Sequence, residues 1–183
     1  MSARNSAVYG LGLFLFGVIS AFVTLFAGGY IYLRYGHPPV AVSDPAFPYE
    51  AQIVHAPQSA RIDREIKKPP FPASEDTFER GAKVYKEDCA FCHGIPGSDS
   101  VYGTSMYPAA PQLWLKHKNG QVIGVSDDEV GETYWKVKNG IRLTGMPTYE
   151  NLLSDSDIWD VSLLLKNADQ QMPQPVMKIL TGH

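Results

Sequence analysis

The chain has 183 residues, enough for one domain of ordinary size plus an anchor or tail. A net charge of −3 argues against a general nucleic-acid-binding role, two cysteines exclude a disulfide-rich scaffold, and fourteen prolines with sixteen glycines exclude one long coiled coil. Only 19% of the residues are charged, less than in a typical soluble domain, so some apolar surface is expected to face something other than a core.

The first element is apolar. Arg4 and Arg34 bracket a stretch with no charged residue, and residues 7–33 predict a transmembrane anchor helix. As a helix this stretch reaches ~40 Å, more than the ~30 Å hydrocarbon core of a bilayer. A cleaved signal peptide is the competing reading. Its apolar region should be shorter and followed by small residues at a cleavage site, and no such site stands out here. Tyr30, Tyr32 and Tyr35 cluster at the far end, where aromatic rings favour the headgroup region. Arg4 on one side and Arg34 on the other leave the orientation undecided by charge. Gly10, Gly17, Ala21, Thr24 and Gly28 share one helix face. That face reads either as a docking seam for other membrane helices or as the ordinary glycine content of membrane spans.

Residues 34–73 follow, with prolines at 38, 39, 45, 48, 57, 69, 70 and 72. Such a density excludes a continuous helix and a central strand, so this part is expected to be a linker, extended or draped over a partner. A flexible chain of that length averages ~35 Å end to end. A head is expected over residues 74–170 and a C-terminal tail over 171–183. From Ser74 onward the chain carries a charge of −5, so an electrostatically steered partner should present a basic patch.

Both cysteines fall in one pentapeptide, Cys89-Ala90-Phe91-Cys92-His93. This C-x-x-C-H run is the attachment signature of c-type haem. Two thiols three positions apart on a helical turn can each add to one of two neighbouring haem vinyl groups, and the adjacent imidazole then reaches the iron. A Cys₂His zinc site would need a fourth ligand and usually a second ligand pair, and no second C-x-x-C exists. A thioredoxin-like pair would sit in a βαβ pattern, which is not evident.

The surroundings are helical. Ser74 is a candidate N-cap, with Glu75 and Asp76 in the first turn, and Phe78, Ala82, Tyr85 and Cys89 keep the helical period. A second helix is predicted from Asp127 to Lys138, opened by a Ser126/Glu129 capping box and stopped by Asn139-Gly140. A third is predicted from Ser156 to Asn167 with Asp155 as cap, its apolar face carrying Ile158, Trp159, Val161, Leu164 and Leu165. In the tail, Val176, Met177, Ile179 and Leu180 are expected to pack back on the head or to touch a partner.

Together these motifs resemble the class I c-type cytochromes. Gly81-x3-Tyr85-x3-Cys89-x2-Cys92-His93 is similar to the family's first helix and haem motif, and Lys138 to Pro147, with its Gly145-Met146-Pro147, to its distal loop. Trp159 lies on what resembles the family's terminal helix. The resemblance implies an all-α fold: a class I cytochrome c head around one covalently attached haem c, beside one N-terminal transmembrane helix and a Pro-rich tether. It implies thioether bonds at Cys89 and Cys92, His93 as proximal iron ligand and Met146 as distal ligand, with Met106 the runner-up. Pro111-Gln112-Leu113 resembles the loop whose proline carbonyl orients the proximal histidine, with Pro96 and Pro108 as alternatives. His37, His55, His117 and His183 are expected at the surface, and Trp114, Tyr134, Trp135 and Tyr149 as pocket walls or core.

The function this implies is an electron carrier rather than an enzyme, or the haem subunit of an oxidoreductase complex. It would be anchored by a single pass in the bacterial inner membrane with the head on the periplasmic side. Its partners would be the lipid bilayer and membrane redox complexes: a quinol-oxidising complex and a terminal oxidase or reaction centre. A five-coordinate haem sensor or enzyme subunit is the alternative.

Overall fold

The computed structural model describes residues 3–117 and 120–182. The uncharged stretch forms helix α1, Ala3–Tyr35, somewhat longer than the predicted 7–33. Its segment Val8–Tyr35 has a mean hydropathy of 2.2 and is long and apolar enough to cross a membrane. Nothing lies within contact distance of a Cβ added at Gly10, Gly17 or Gly28. The chain divides into two compact units, Met1–Pro48 and Tyr49–His183.

The proline-rich segment differs from expectation. It contains a sixteen-residue helix, α2, Glu50–Glu65, with Pro57 in its interior. An interior proline removes a hydrogen bond and costs about 3 kcal/mol, so this helix is held by tertiary contacts. Ile62 is buried, Trp135 Nε1 donates to Glu65 Oε2 at 2.7 Å, and the Tyr107 hydroxyl donates to Glu50 Oε1 at 2.9 Å.

Helix α3, Glu75–Val84, begins as its sequence predicts. Ser74 Oγ accepts the Thr77 N–H at 3.2 Å, and Thr77 Oγ1 accepts the Ser74 N–H at 2.7 Å. These reciprocal bonds satisfy amide donors that the first turn leaves unpaired. The helix runs on through a π-helical turn, Tyr85–Cys89, into a single turn α4, Ala90–His93. A short helix α5, Val101–Thr104, and a two-stranded hairpin, β1 Lys116–His117 with β2 Val122–Ile123, occupy the region before the second predicted helix.

That second helix, α6, is Val130–Asn139, three residues later than predicted at its start. Glu129 is the N-cap and makes no side-chain cap bond. Ser126 is used elsewhere: its Oγ accepts the Ile123 N–H and its carbonyl accepts Lys166 Nζ at 2.9 Å. The predicted stop holds, with Gly140 at φ 68. Helix α7 is Asp155–Lys166, and its cap is Ser154 rather than Asp155, in a capping box with Asp157. The tail forms α8, Gln174–Thr181, which packs back on the head. Val176 and Leu180 are fully buried, and Lys86 Nζ donates to the Leu180 carbonyl at 2.9 Å.

The core lies where α3 crosses α7, joined by α6 and α8. Ala82, Tyr85, Ile158, Val161, Leu164, Val176 and Leu180 have almost no solvent exposure. Tyr134 and Trp159 stack with ring centroids 3.9 Å apart. The helices are spaced so closely that a Cβ on Gly81 would lie 2.4 Å from the Asp160 carbonyl oxygen. Arg80 closes the same crossing with a two-pronged ion pair to Asp160, at 2.6 and 3.0 Å.

Candidate haem site

The π-helical turn delivers Cys89 at its end, and the next helical turn carries Cys92 and His93. Both thiols are free, Cys89 buried and Cys92 half-buried. Gly94, at φ 72, turns the chain away. A side chain there would meet Gln112 Oε1 and the Ser98 carbonyl. Tyr85 secures the motif from below, its hydroxyl donating to the carbonyls of His93 (3.2 Å) and Gly94 (2.8 Å). Burial raises the Tyr85 pKa, so the phenol keeps the proton that these bonds need.

His93 Nδ1 lies 2.8 Å from the Pro111 carbonyl oxygen, which settles the choice among the three prolines. A carbonyl can only accept, so Nδ1 carries the proton and the Nε2 lone pair is left for a metal. Burial lowers the His93 pKa, with the Pro111 bond partly opposing it, and the imidazole is held neutral. Burial, then the charges of Asp88 and Cys92, push the Cys89 thiol up to about 12.

Met146 reaches the same cavity on the loop that follows α6. Its N–H donates to Thr144 Oγ1 at 3.1 Å and its carbonyl accepts from Ile141. Gly140 must lack a side chain because a Cβ would strike Pro147 at 2.6 Å. Gly145 leaves room for Met106, whose methyl lies 1.8 Å from where a Cβ would stand. Met106 therefore packs beside the Met146 loop, and both methionines line the cavity.

The cavity measures about 380 Å³ and is walled by Cys89, Cys92, His93, Met106, Met146 and largely apolar neighbours such as Leu113, Val137 and Leu165. That size suits a small organic cofactor. Among the described residues no three His, Cys, Asp or Glu side chains converge to hold a bare ion. Two thiols, one imidazole with a free ring nitrogen and a thioether around an apolar slot fit a metal carried on a flat macrocycle.

The four aromatic candidates keep their expected roles as pocket wall or core, and some of the histidines do not. Of the four aromatic candidates, Tyr149 lines the cavity and donates to the Asp88 carbonyl at 2.8 Å, with its pKa pushed up to about 12 mainly by burial. Tyr134 and Trp135 belong to the core and the α2 contact, and Trp114 stands edge-on to Tyr85. His55, expected at the surface, lines the cavity while remaining exposed. His117 bonds the Gly124 carbonyl, and His183 lies outside the described residues. Gln112 was missed as an organiser. Its Oε1 accepts the Ser100 N–H at 2.6 Å, and its Nε2 donates to the carbonyls of Cys92 (3.1 Å) and Ala110 (3.0 Å). Gly103 was missed too: a Cβ there would stand 1.8 Å from the Cys92 carbonyl oxygen. Neither residue carries a spacing signal, because their partners come from another stretch of chain.

No curated protein sequence matches the chain. A solved structure with partial likeness is the reducing HAO-like protein complex of Kuenenia stuttgartiensis, with a TM-score of 0.41 and 20% identity; the match covers 76% of this chain and 55% of that one. The family model for cytochrome c matches residues 78–169, half of the chain, from the helix before the haem motif to the end of α7. The chain belongs to the cytochrome c family, whose members carry covalently attached haem c and transfer electrons.

Proposed function

We propose that this chain is a membrane-anchored monohaem c-type cytochrome passing single electrons between membrane redox complexes, as a carrier or as the haem subunit of an oxidoreductase complex. The observation that carries this reading is the convergence on one cavity of Cys89, Cys92 and His93 from α4 and its approach with Met146 from the distal loop. Cys89 and Cys92 would hold the macrocycle, and His93 and Met146 would ligate its iron. Bound there, haem would supply a one-electron couple, and a thioether ligand would raise its potential. The chain's own residues fix the geometry. Pro111 sets the His93 tautomer, Gln112 braces the Cys92 carbonyl, and the Gly140 and Gly145 close approaches hold the loop of Met146. With both residues as ligands the iron would keep no open coordination position, which would suit electron transfer and oppose oxygen chemistry.

The long apolar helix supports single-pass anchoring in the bacterial inner membrane, and haem attachment in this family supports a periplasmic head. The acidic head suits a donor and acceptor with basic docking patches, with a quinol-oxidising complex on one side and a terminal oxidase or reaction centre on the other.

Two measurements test this. Mass spectrometry of the native chain should show one added macrocycle. The oxidised protein should show the weak far-red absorption of a thioether–ferric iron bond, lost in Met146→Ala and kept in Met106→Leu. Fast carbon monoxide binding by the unmodified protein, with no such band, overturns the carrier reading in favour of a five-coordinate sensor or enzyme subunit.

A further inference from the structure

Helix α2 lies wholly outside the residues that match the family, yet one of its faces belongs to the haem cavity. His55, Gln58, Ser59 and Ile62 fall at i, i+3, i+4 and i+7, the spacing of a single helix face, and all four line the cavity. Ile62 is only 4% exposed. Both ends of the helix are fastened to the head. Glu50 accepts from Tyr107, Glu65 accepts from Trp135, and the Arg61 guanidinium stands 5.5 Å over the Trp135 ring. Just beyond α2 the chain runs so close to α6 that a Cβ on Gly131 would lie 2.1 Å from the Lys67 carbonyl oxygen.

The polar groups at this wall are unevenly engaged. On the α6 side, Lys136 is already paired with Glu132 (2.6 Å) and Asp128 (3.5 Å). The side chains of Gln58 and Ser59 make no hydrogen bond among the described residues. Elsewhere the cavity is dominated by apolar groups, with Pro108, Ala109, Ala110 and Leu113 on the His93 side. A haem carries two carboxylates, and carboxylates taken out of water need donors.

We propose that α2 is a wall of the haem site, with Ile62 excluding water from the porphyrin and Gln58 and Ser59 donating hydrogen bonds to its carboxylates. The inference rests on the haem reading above. It makes the haem site of this chain larger than the family domain.

The test uses full-length holoprotein, with haem loading confirmed by mass. Ile62→Glu is compared with Ile53→Glu, the same charge change at a position of the same helix that is 69% exposed and does not line the cavity. The midpoint potential is the readout, because burial and hydrogen bonding around the macrocycle set it. Ile62→Glu should weaken electron affinity at least tenfold, a fall of about 59 mV for one electron, while Ile53→Glu leaves it in place. The double variant Gln58→Leu with Ser59→Ala should lower it roughly threefold, the worth of a hydrogen bond. If Ile62→Glu yields no holoprotein, the double variant decides by the same criterion. Unchanged potentials in haem-loaded variants overturn the proposal and leave the haem reading standing. A native chain without added macrocycle overturns both.

Discussion

At the scale of single residues, the head depends on places where a side chain would not fit. Gly81 sits at the α3–α7 crossing, where a Cβ would be 2.4 Å from the Asp160 carbonyl oxygen and 3.1 Å from the Val161 Cα. These are backbone atoms of a buried helix and cannot swing aside. Gly81→Ala should gain about 1 kcal/mol in helix propensity and lose more by forcing the helices apart. A net destabilisation of about 2 kcal/mol is expected, measured as a lower denaturation midpoint of the haem-loaded protein. A midpoint equal to wild type would show that the crossing has slack. The neighbouring Arg80–Asp160 pair depends on the same approach: Asp160 is buried and Arg80 half exposed, so the pair forms only when the two helices are in register. In the distal loop, exposed Leu143 adopts φ 64, a left-handed conformation that costs a non-glycine residue about 1 kcal/mol or more, three positions before Met146.

At the scale of elements, α6 and α7 are clasped by a polar cluster at the surface. Asp155, the first residue of α7, accepts from the Tyr134 hydroxyl and from Lys138 Nζ, the latter at 3.1 Å. The Tyr134 bond foremost, then Lys138, holds the Asp155 carboxyl below its ordinary value. Its folded value is thus lower than its unfolded one, so the stabilisation is present in full above the ordinary carboxylate range. It is lost as the pH falls through the folded value. Because Asp155 is more than half exposed, the contribution is about 0.5 kcal/mol. Asp155→Asn should lower the thermal midpoint slightly at neutral pH, and the gap to wild type should close as the solution is acidified below about pH 4. A gap that persists in acid would assign the effect to something other than the carboxylate.

What the sequence reveals at this scale follows from how local each signal is. Ser74 and the period of Phe78, Ala82, Tyr85 and Cys89 predicted α3 because cap, dipole and core contact all lie within a few turns. The Cys89–His93 spacing and the Gly145-Met146-Pro147 run point to the site for the same reason. The start of α6 was misread because Ser126-x-x-Glu129 satisfies the capping pattern, while the tertiary bond from Lys166 and the turn at Ile123 claim Ser126 instead. Helix α2 was unreadable in a different way. Its cavity face has one large apolar residue, Ile62, so no hydrophobic period marks it, and Pro57 argues against it. Its fastenings, Tyr107 and Trp135, lie 57 and 70 positions away in sequence from Glu50 and Glu65.

At the scale of the whole molecule, docking of α2 enlarges the unit that carries the site. The compact unit that carries the site runs from Tyr49 to His183. Residues 36–49 are what remain between α1 and α2, with prolines at 38, 39, 45 and 48. Asp44 folds part of this stretch into a turn by accepting the N–H groups of Val40 and Ala41, each at 2.8 Å. Two truncations separate the roles of α1 and α2. A chain beginning at Tyr49 loses α1 and should move from the membrane fraction to the soluble one, with its haem, potential and thermal midpoint close to those of the full protein. A chain beginning at Ser74 also loses α2, which exposes Ile62's contact surface and leaves Trp135 Nε1 without Glu65. Loss of that buried side chain and its hydrogen bond should cost about 3 kcal/mol, seen as a lower thermal midpoint together with a lower potential. Equal midpoints and potentials in the two truncated proteins would make α2 a passive connector and return the head's boundary to Ser74.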